Sequence, residues 1–353
     1  MDYLPLGTTG LYVSRLCFGA MTFAEEGQKE MAWIGTEGQD FADTMIAMAL
    51  DAGINFFDTA NMYASGASET MLGKALKGKR HDNVIATKLY HPLGKTPNSV
   101  GTSRLAVMRE VEDSLKRLDT DYIDLYQVHG WDDTTPIEET MRALDDCVRQ
   151  GKVRYIGLSN FAAWQMAIAD GVARQMGTER FCSAQVYYSL VGRDLERDIL
   201  PALKHLGMGT MIYSPLAAGF LSGKYTDSDE KGRRSTFSYP PVDQVQGDQV
   251  VYALREIAET HNATPSQIAL SWVLHQDGVT SVILGARKTE QLEDNLAAYD
   301  IKLTAEELQK LDDVSAQPMQ YPQWQPALKR GQGAKAAMAH TKKVSSKKKN
   351  ASA

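Results

Sequence analysis

With 353 residues, 43% of them apolar, the chain can bury a large core and has room for one to three domains. It has no apolar run of 18 or more residues, and its opening MDYLPLGTTG carries neither the basic nor the apolar region of a secretion signal, so we expect a soluble, cytoplasmic protein with no membrane partner. The net charge of −6 hides an asymmetry: residues 314–353 hold eight Lys or Arg and no acid, which leaves −14 on the rest.

The opening YLPLGTTGLYVSRL reads as a β-hairpin. Beyond it, short apolar runs rich in Ile, Val, Leu and Tyr alternate with longer stretches of helical periodicity, the pattern of a parallel sheet built from strand-helix units. The strand candidates are 15–18, 54–57, 83–87, 123–128, 153–158, 182–186, 209–213 and 281–284. Helices are expected near 40–52, 68–77, 103–117, 136–150, 163–175, 196–206, 265–276 and 289–299. Eight such pairs without a break in composition predict a single (β/α)8 TIM barrel over residues 1–320.

Local signals mark particular boundaries. Thr264-Pro265-Ser266-Gln267 combines an N-cap, Pro at the first helical position and Gln at the third, which together open a helix. Gly53 and Gly151 stand where helices should stop. The stretch 214–247, after the seventh barrel strand, is too long for an ordinary connection and predicts a functional loop over the site. Residues 321–353 are basic and poor in apolar side chains, and read as a disordered, solvated extension. No aromatics interleave its lysines, so no nucleic-acid partner is expected.

Cys17, Cys147 and Cys182 are widely spaced, with no CxxC or Cys/His grouping that would supply a zinc site. They read as buried small apolar residues, and no metal is expected. The sequons at Asn262 and Asn350 mean little without secretion.

Four ionisable residues, Asp58, Tyr63, Lys88 and His129, each fall at or beside the C-terminal end of a separate strand candidate. In a (β/α)8 barrel those ends form the mouth where catalytic groups gather, so their convergence suggests proton transfer. A tyrosine titrating near its reference value of about 10 is a poor proton donor unless its phenolate is stabilised. Lys88, held as a cation by Asp58, would supply that stabilisation. Taken singly, each residue has an ordinary reading: an ion pair at the barrel rim, an amphipathic loop tyrosine, a hydrogen-bonded strand-end histidine. No G-x-G-x-x-G follows a strand, and GFLSGKY (219–225) lacks the spacing and Ser/Thr of a P-loop, which disfavours Rossmann and phosphoryl-transfer enzymes.

The segments INFFDTANMYASGASE (54–69), NVIATK (83–88) and DYIDLYQVHG (121–130) resemble the aldo-keto reductase family, whose catalytic tetrad is Asp, Tyr, Lys and His in that order. The resemblance continues through GLSNF (157–161), YSPLAAGFLSGKY (213–225) and GARKTEQLEDNL (285–296), covering roughly residues 5–315. It implies an NADPH-dependent reduction of an aldehyde or ketone, with Tyr63 as general acid, His129 orienting the carbonyl, Lys88 tuning Tyr63 and Asp58 holding Lys88. It also implies a hairpin that caps the barrel bottom.

By the same resemblance, Ser159, Asn160 and Gln185 match the residues that hold the nicotinamide carboxamide, and Tyr213 the aromatic that stacks on the ring. Ser214, Leu216, Gly219 and Lys224 match the pyrophosphate-side loop; Gly285, Arg287, Gln291, Asp294 and Asn295 match the adenosine end. Arg287 and Lys288 at a helix N-terminus suit a 2′-phosphate, favouring NADPH, with NADH also open. Arg233 or Arg234 is a candidate phosphate clamp, or else a solvated basic pair. Gly19 and Met21 match a backbone contact and a pocket wall. Tyr90, Trp131, Tyr188 and Trp324 are candidates to line the substrate pocket, although core packing explains such aromatics as well. The insertion 24–39 lengthens the first loop, and its Trp33 is placed to narrow the pocket.

Two other functions fit the same segments. They are similar to the potassium-channel β subunits of the same superfamily, which bind NADPH while regulating a membrane partner. The acid-base pair would equally serve an NAD(P)-linked alcohol or sugar dehydrogenase working in the oxidative direction.

Overall fold

The computed structural model describes residues 1–25, 37–226, 234, 239–322 and 325. Trp33, Arg233, Trp324 and most of the basic extension lie outside them. The chain falls into two compact units, Met1–Ala316 and Gln317–Ala353; the described residues of the second contain no helix or strand.

The first unit opens with an antiparallel hairpin, β1 (Tyr3–Pro5) and β2 (Tyr12–Ser14). Its inward residues Leu6 and Val13 are fully buried in the barrel interior, and the Thr8 amide donates to the carbonyl of Gly207 at 3.0 Å, so the hairpin plugs the bottom. Eight strands then alternate with helices. These are β3 (Leu16–Gly19), α1 (Gly38–Asp51), β4 (Phe56–Asp58), α2 (Ala67–Ala75), β5 (Val84–Leu89), α3 (Arg104–Leu118), β6 (Ile123–Val128) and α4 (Ile137–Arg149). The order continues with β7 (Val153–Ser159), α5 (Ala163–Met176), β8 (Ser183–Tyr187), α6 (Ile199–Leu206), β9 (Gly209–Tyr213), α7 (Gln244–His261), α8 (Pro265–His275), β10 (Ser281–Leu284), α9 (Thr289–Ala297) and α10 (Ala305–Val314). The strands are all parallel from β3 to β10, and β10 pairs with both β9 and β3, closing a (β/α)8 TIM barrel.

Helix boundaries follow the cap chemistry. Thr264 and Gln267 form the expected capping box of α8, and Thr304 and Glu307 form another at α10. Gly53 and Gly151 take positive φ just past α1 and α4, the conformation that costs glycine least. Two helices, α7 and α10, lie where no helix was read from the sequence. The stretch read as loop to 247 ends at Asp243, whose carboxylate accepts from the Gln246 amide to start α7. The apolar positions Val250, Val251, Leu254, Ile257 and Ala258 give that helix its buried face.

Strand alternation separates two apolar layers. Outward residues Phe18, Phe57, Ile85, Tyr126, Ile156 and Ile212 pack against the helices. Inward residues Cys17, Phe56, Ala86, Leu125, Met211 and Ile283 fill the barrel. Two residues further along the strands, the inward side turns polar: Asp58, Lys88, Gln127, Gln185 and Tyr213 form the next layer up. The fold thus sets a polar mouth on an apolar plug.

Candidate active site

Lys88 is fully buried, and its ammonium has three partners for its three protons. Its Nζ lies 2.6 Å from Asp58 Oδ2, 2.8 Å from the Thr59 carbonyl and 3.4 Å from the Tyr63 hydroxyl. Burial alone would pull the amine down, but the Asp58 charge, Tyr63 and the hydrogen bonds to both outweigh it and leave the pKa raised, so Lys88 is a cation at neutral pH. The other Asp58 oxygen accepts from Gln185 Nε2 at 2.7 Å and Gln127 Nε2 at 3.1 Å. Both carboxylate oxygens are therefore engaged, which keeps the charge satisfied at 3% exposure.

Tyr63 opens a short 3-10 turn (Tyr63–Gly66) directly after the β4 loop. Ala64, Ser65 and Gly66 that follow it all adopt positive φ. His129 follows the last residue of β6, and its ring stands edge-on to Tyr63, with centroids 5.9 Å apart. Burial first, then the Lys88 charge and the neighbouring His91 imidazole, push its pKa down to about 2, so the imidazole is neutral across the working range. Among the described residues, its Nδ1 is buried without a hydrogen-bond partner. An orphaned N–H is costlier to bury than an orphaned acceptor, which favours the proton on Nε2.

Ser159, Asn160, Gln185 and Tyr213 gather beside this group. Asn160, at φ +59°, donates from Nδ2 to Ser159 Oγ and to the His129 carbonyl, each at 3.0 Å. Tyr213 donates to Asn160 Oδ1 at 2.9 Å, and its hydroxyl lies 3.0 Å from that of Tyr239. Tyr187 flanks Tyr213 with ring centroids 5.9 Å apart. Gly19 ends β3, and Met21 is half-buried in the turn that follows.

The loop after β9 is a chain of tight turns. Ser214, Ala217, Ala218 and Gly219 have positive φ, and the Leu216 carbonyl accepts from the amides of Gly219 and Leu221. The Lys224 side chain runs beside Gly219. Arg234 donates to the Ala217 carbonyl at 3.3 Å and the Pro240 carbonyl at 2.9 Å, so it ties the loop to itself.

Before the last barrel helix, Gly285 has open space where a Cβ would stand. Gln291 Oε1 accepts from the Arg287 amide at 3.0 Å, and no side chain caps α9 at Lys288. Asn295 is buried, while the Asp294 carboxylate accepts from Thr264 at 3.1 Å and Gln267 at 2.9 Å, linking α9 to α8.

The pocket aromatics divide. Tyr90 is half-buried next to Lys88's strand, and Trp131 packs on Phe161 and Trp164, with ring centroids 5.2 and 5.7 Å away. Tyr188 does not overhang the mouth: it is 1% exposed, packs tilted against Trp272 with ring centroids 5.3 Å apart and donates to Glu196 at 2.5 Å. It follows Tyr187 on the outward side of the strand direction, where the helices bury it.

Three residues escaped the sequence reading: Gln127, Tyr239 and His91. Gln127 was reachable, since it pairs in register with Lys88 and sits two residues before His129 on the same face. Tyr239 reaches Tyr213 from 26 positions away with no local signal. The three cysteines are free and buried, no group of three or more metal-binding side chains occurs among the described residues, and no helix among them is long and apolar enough to cross a membrane.

Comparison with known proteins agrees with this geometry. Residues 15–316 match the family model described as "Aldo/keto reductase family". The "Uncharacterized oxidoreductase YrpG" of Bacillus subtilis is 38% identical over 90% of this chain and 97% of its own length. A "Putative voltage-gated potassium channel subunit beta" of Schizosaccharomyces pombe is 37% identical over 88% of this chain and 92% of its own. "Aldo-keto reductase dtxS3" of Metarhizium robertsii is 34% identical over 89% and 91%. A family match over most of the barrel, joined to relatives spanning nearly their whole lengths, makes this chain a member of the aldo/keto reductase family of oxidoreductases.

Proposed function

We propose that the protein is an NADPH-dependent carbonyl reductase that converts an aldehyde or ketone to an alcohol. The observation that carries this reading is the buried relay Asp58–Lys88–Tyr63, with its 2.6 and 3.4 Å steps. When bound, the nicotinamide cofactor would supply the hydride. Tyr63 gives the proton to the carbonyl oxygen, and the Lys88 cation stabilises the phenolate left behind. Asp58, fixed by Gln127 and Gln185, keeps Lys88 in place. Neutral His129 donates one hydrogen bond to the same oxygen and so fixes the face presented for attack.

Fit to the cofactor rests on the residues at either end of the mouth. Ser159, Asn160 and Gln185 offer amide and hydroxyl groups for a carboxamide, and Tyr213 a ring face. The Ser214, Leu216, Gly219 and Lys224 loop, together with Arg234, supports a pyrophosphate. The open space at Gly285 and the uncapped N-terminus of α9 beside Arg287 suit a phosphorylated adenosine. Gln291 and Asn295 stand in that same helix, and Asp294 contributes through its hold on α8.

Tyr63→Phe tests the reading: NADPH binding should persist while carbonyl reduction falls by about 10²-fold or more, the scale of a general acid. Unchanged turnover would defeat the mechanism. The 37% identity to the S. pombe channel-subunit relative supports a second reading, a cofactor-bound regulator. Tight NADPH binding with no consumption across a panel of aldehydes, ketones and sugars would favour it. Faster oxidation of alcohols than reduction of their carbonyls would favour the dehydrogenase direction.

A further inference from the structure

His91 follows Tyr90 in the loop after β5, half-buried at the mouth. Its ring stands edge-on to His129, with centroids 4.8 Å apart and planes at 81°. Tyr90 also packs edge-on against the His91 ring, with centroids 5.1 Å apart. His91 takes no part in the Asp58–Lys88–Tyr63 relay. Among the described residues, neither ring nitrogen of His91 has a hydrogen-bond partner.

The backbone that delivers His91 is costly. Tyr90 has φ +124°, a region nearly reserved for glycine and held by other residues only when the surroundings enforce it. Here the enforcement is visible. The Gly101 amide donates to the Tyr90 carbonyl at 2.8 Å, and Gly101 itself has φ +87°, with the Asp132 carboxylate 2.5 Å from where a Cβ would stand. Asp132 accepts from the Thr102 amide at 2.8 Å, the Thr134 amide at 2.9 Å and the hydroxyls of Thr134 and Thr135 at 2.6 and 2.7 Å. These bonds bolt the loop after β5 to the loop after β6, the one that begins at His129. Strain held in this way next to a reactive centre points to a positioned side chain.

We propose that His91 is a specificity residue that, beside His129, recognises carbonyl compounds bearing a second oxygen on the adjacent carbon, as a ketone or a hydroxyl; this rests on the reductase reading above. His129 takes the reacting oxygen, and a second imidazole less than 5 Å away is spaced for its neighbour. Burial lowers the His91 pKa, so the ring is neutral and carries one donor and one acceptor. It therefore serves a keto oxygen as donor and a hydroxyl as acceptor. A substrate lacking the second oxygen leaves that group unpaired in a half-buried site, and the penalty falls on kcat/KM.

The test compares 2,3-butanedione with 2-butanone, and hydroxyacetone with acetone, as paired substrates of wild type, His91→Leu and His91→Gln, with NADPH consumption as the readout. The measured quantity is the ratio of kcat/KM within each pair, which cancels general damage to the site. In His91→Leu that ratio should fall about fivefold or more, the worth of one neutral hydrogen bond, and His91→Gln, with a donor and an acceptor, should restore much of it. If both members of each pair fall in parallel, His91 only packs against His129 and the proposal is wrong; unchanged ratios overturn it equally. If the wild type consumes no NADPH with any of these carbonyls, the reductase reading fails first and takes this one with it.

Discussion

Replacing Lys88 with Met isolates the electrostatic part of the mechanism, because Met keeps most of the unbranched side chain, one atom shorter, and removes its charge. The Nζ is 3.4 Å from the Tyr63 hydroxyl. At that separation a unit charge stabilises a phenolate by about 1.2 kcal/mol if screened as in bulk water, and about 5 kcal/mol at an effective dielectric of 20. The Asp58 carboxylate, 2.6 Å from the same ammonium, opposes this. The lower half of the range is therefore the sound expectation, or about one to two pK units on Tyr63. The assay is single-turnover hydride transfer in both directions against pH. The pH at which reduction falls off should move up by at least about one unit, and alcohol oxidation near neutrality should slow about tenfold or more.

Met also strands the Asp58 charge, and breaking a buried pair costs about 3–5 kcal/mol of stability. The double variant Asp58→Asn, Lys88→Met removes that burden, since Asn still accepts one amide bond. A folded, NADPH-binding Lys88→Met or double variant whose pH profile is unmoved would refute the role given to Lys88.

Two further outcomes are expected. Arg287→Ala should weaken NADPH binding about tenfold while leaving NADH affinity nearly unchanged, as read by titration of each nucleotide; an equal loss for both would remove Arg287 from any phosphate site. His129 provides a test in acid. The unfolded chain takes up its proton near pH 6.5, the folded protein only near pH 2, so between these values protons favour unfolding and stability drops as pH falls. From pH 7 to pH 5 the loss should reach up to about 2 kcal/mol in urea melts, and His129→Asn should remove that part of the slope.

Much of this protein is written locally. The alternation of apolar runs and helical periods gives eight strand-helix units, because each strand buries its outward face under the helix that follows it. Thr264 with Gln267, Gly53 and Gly151 set boundaries through the backbone groups of their own turns. That Asp58, Tyr63, Lys88 and His129 would meet was legible for a related reason: strand ends are recognisable in sequence, and a barrel brings all its strand ends to one mouth. Helices α7 and α10 carried their own caps at Asp243 and Thr304, but their place outside the eight-unit count hid them.

What no local pattern contains is the set of contacts between strands and loops distant in the chain. Gln185 turns toward Asp58 across 127 positions only because closure of the barrel sets β8 facing β4. Tyr188 and Trp131 look alike in sequence, yet one is sealed against Trp272 and the other lies at a loop among aromatic neighbours. The strained turn at Tyr90 is tied by its carbonyl to the Gly101 amide, and Asp132, on the next loop, holds the adjacent Thr102. Sequence determines which faces must be buried and which strand ends carry ionisable groups, since those depend on neighbours three or four residues away. The tertiary structure decides which polar atoms meet and which aromatics reach the mouth, since those depend on the closure of the whole barrel.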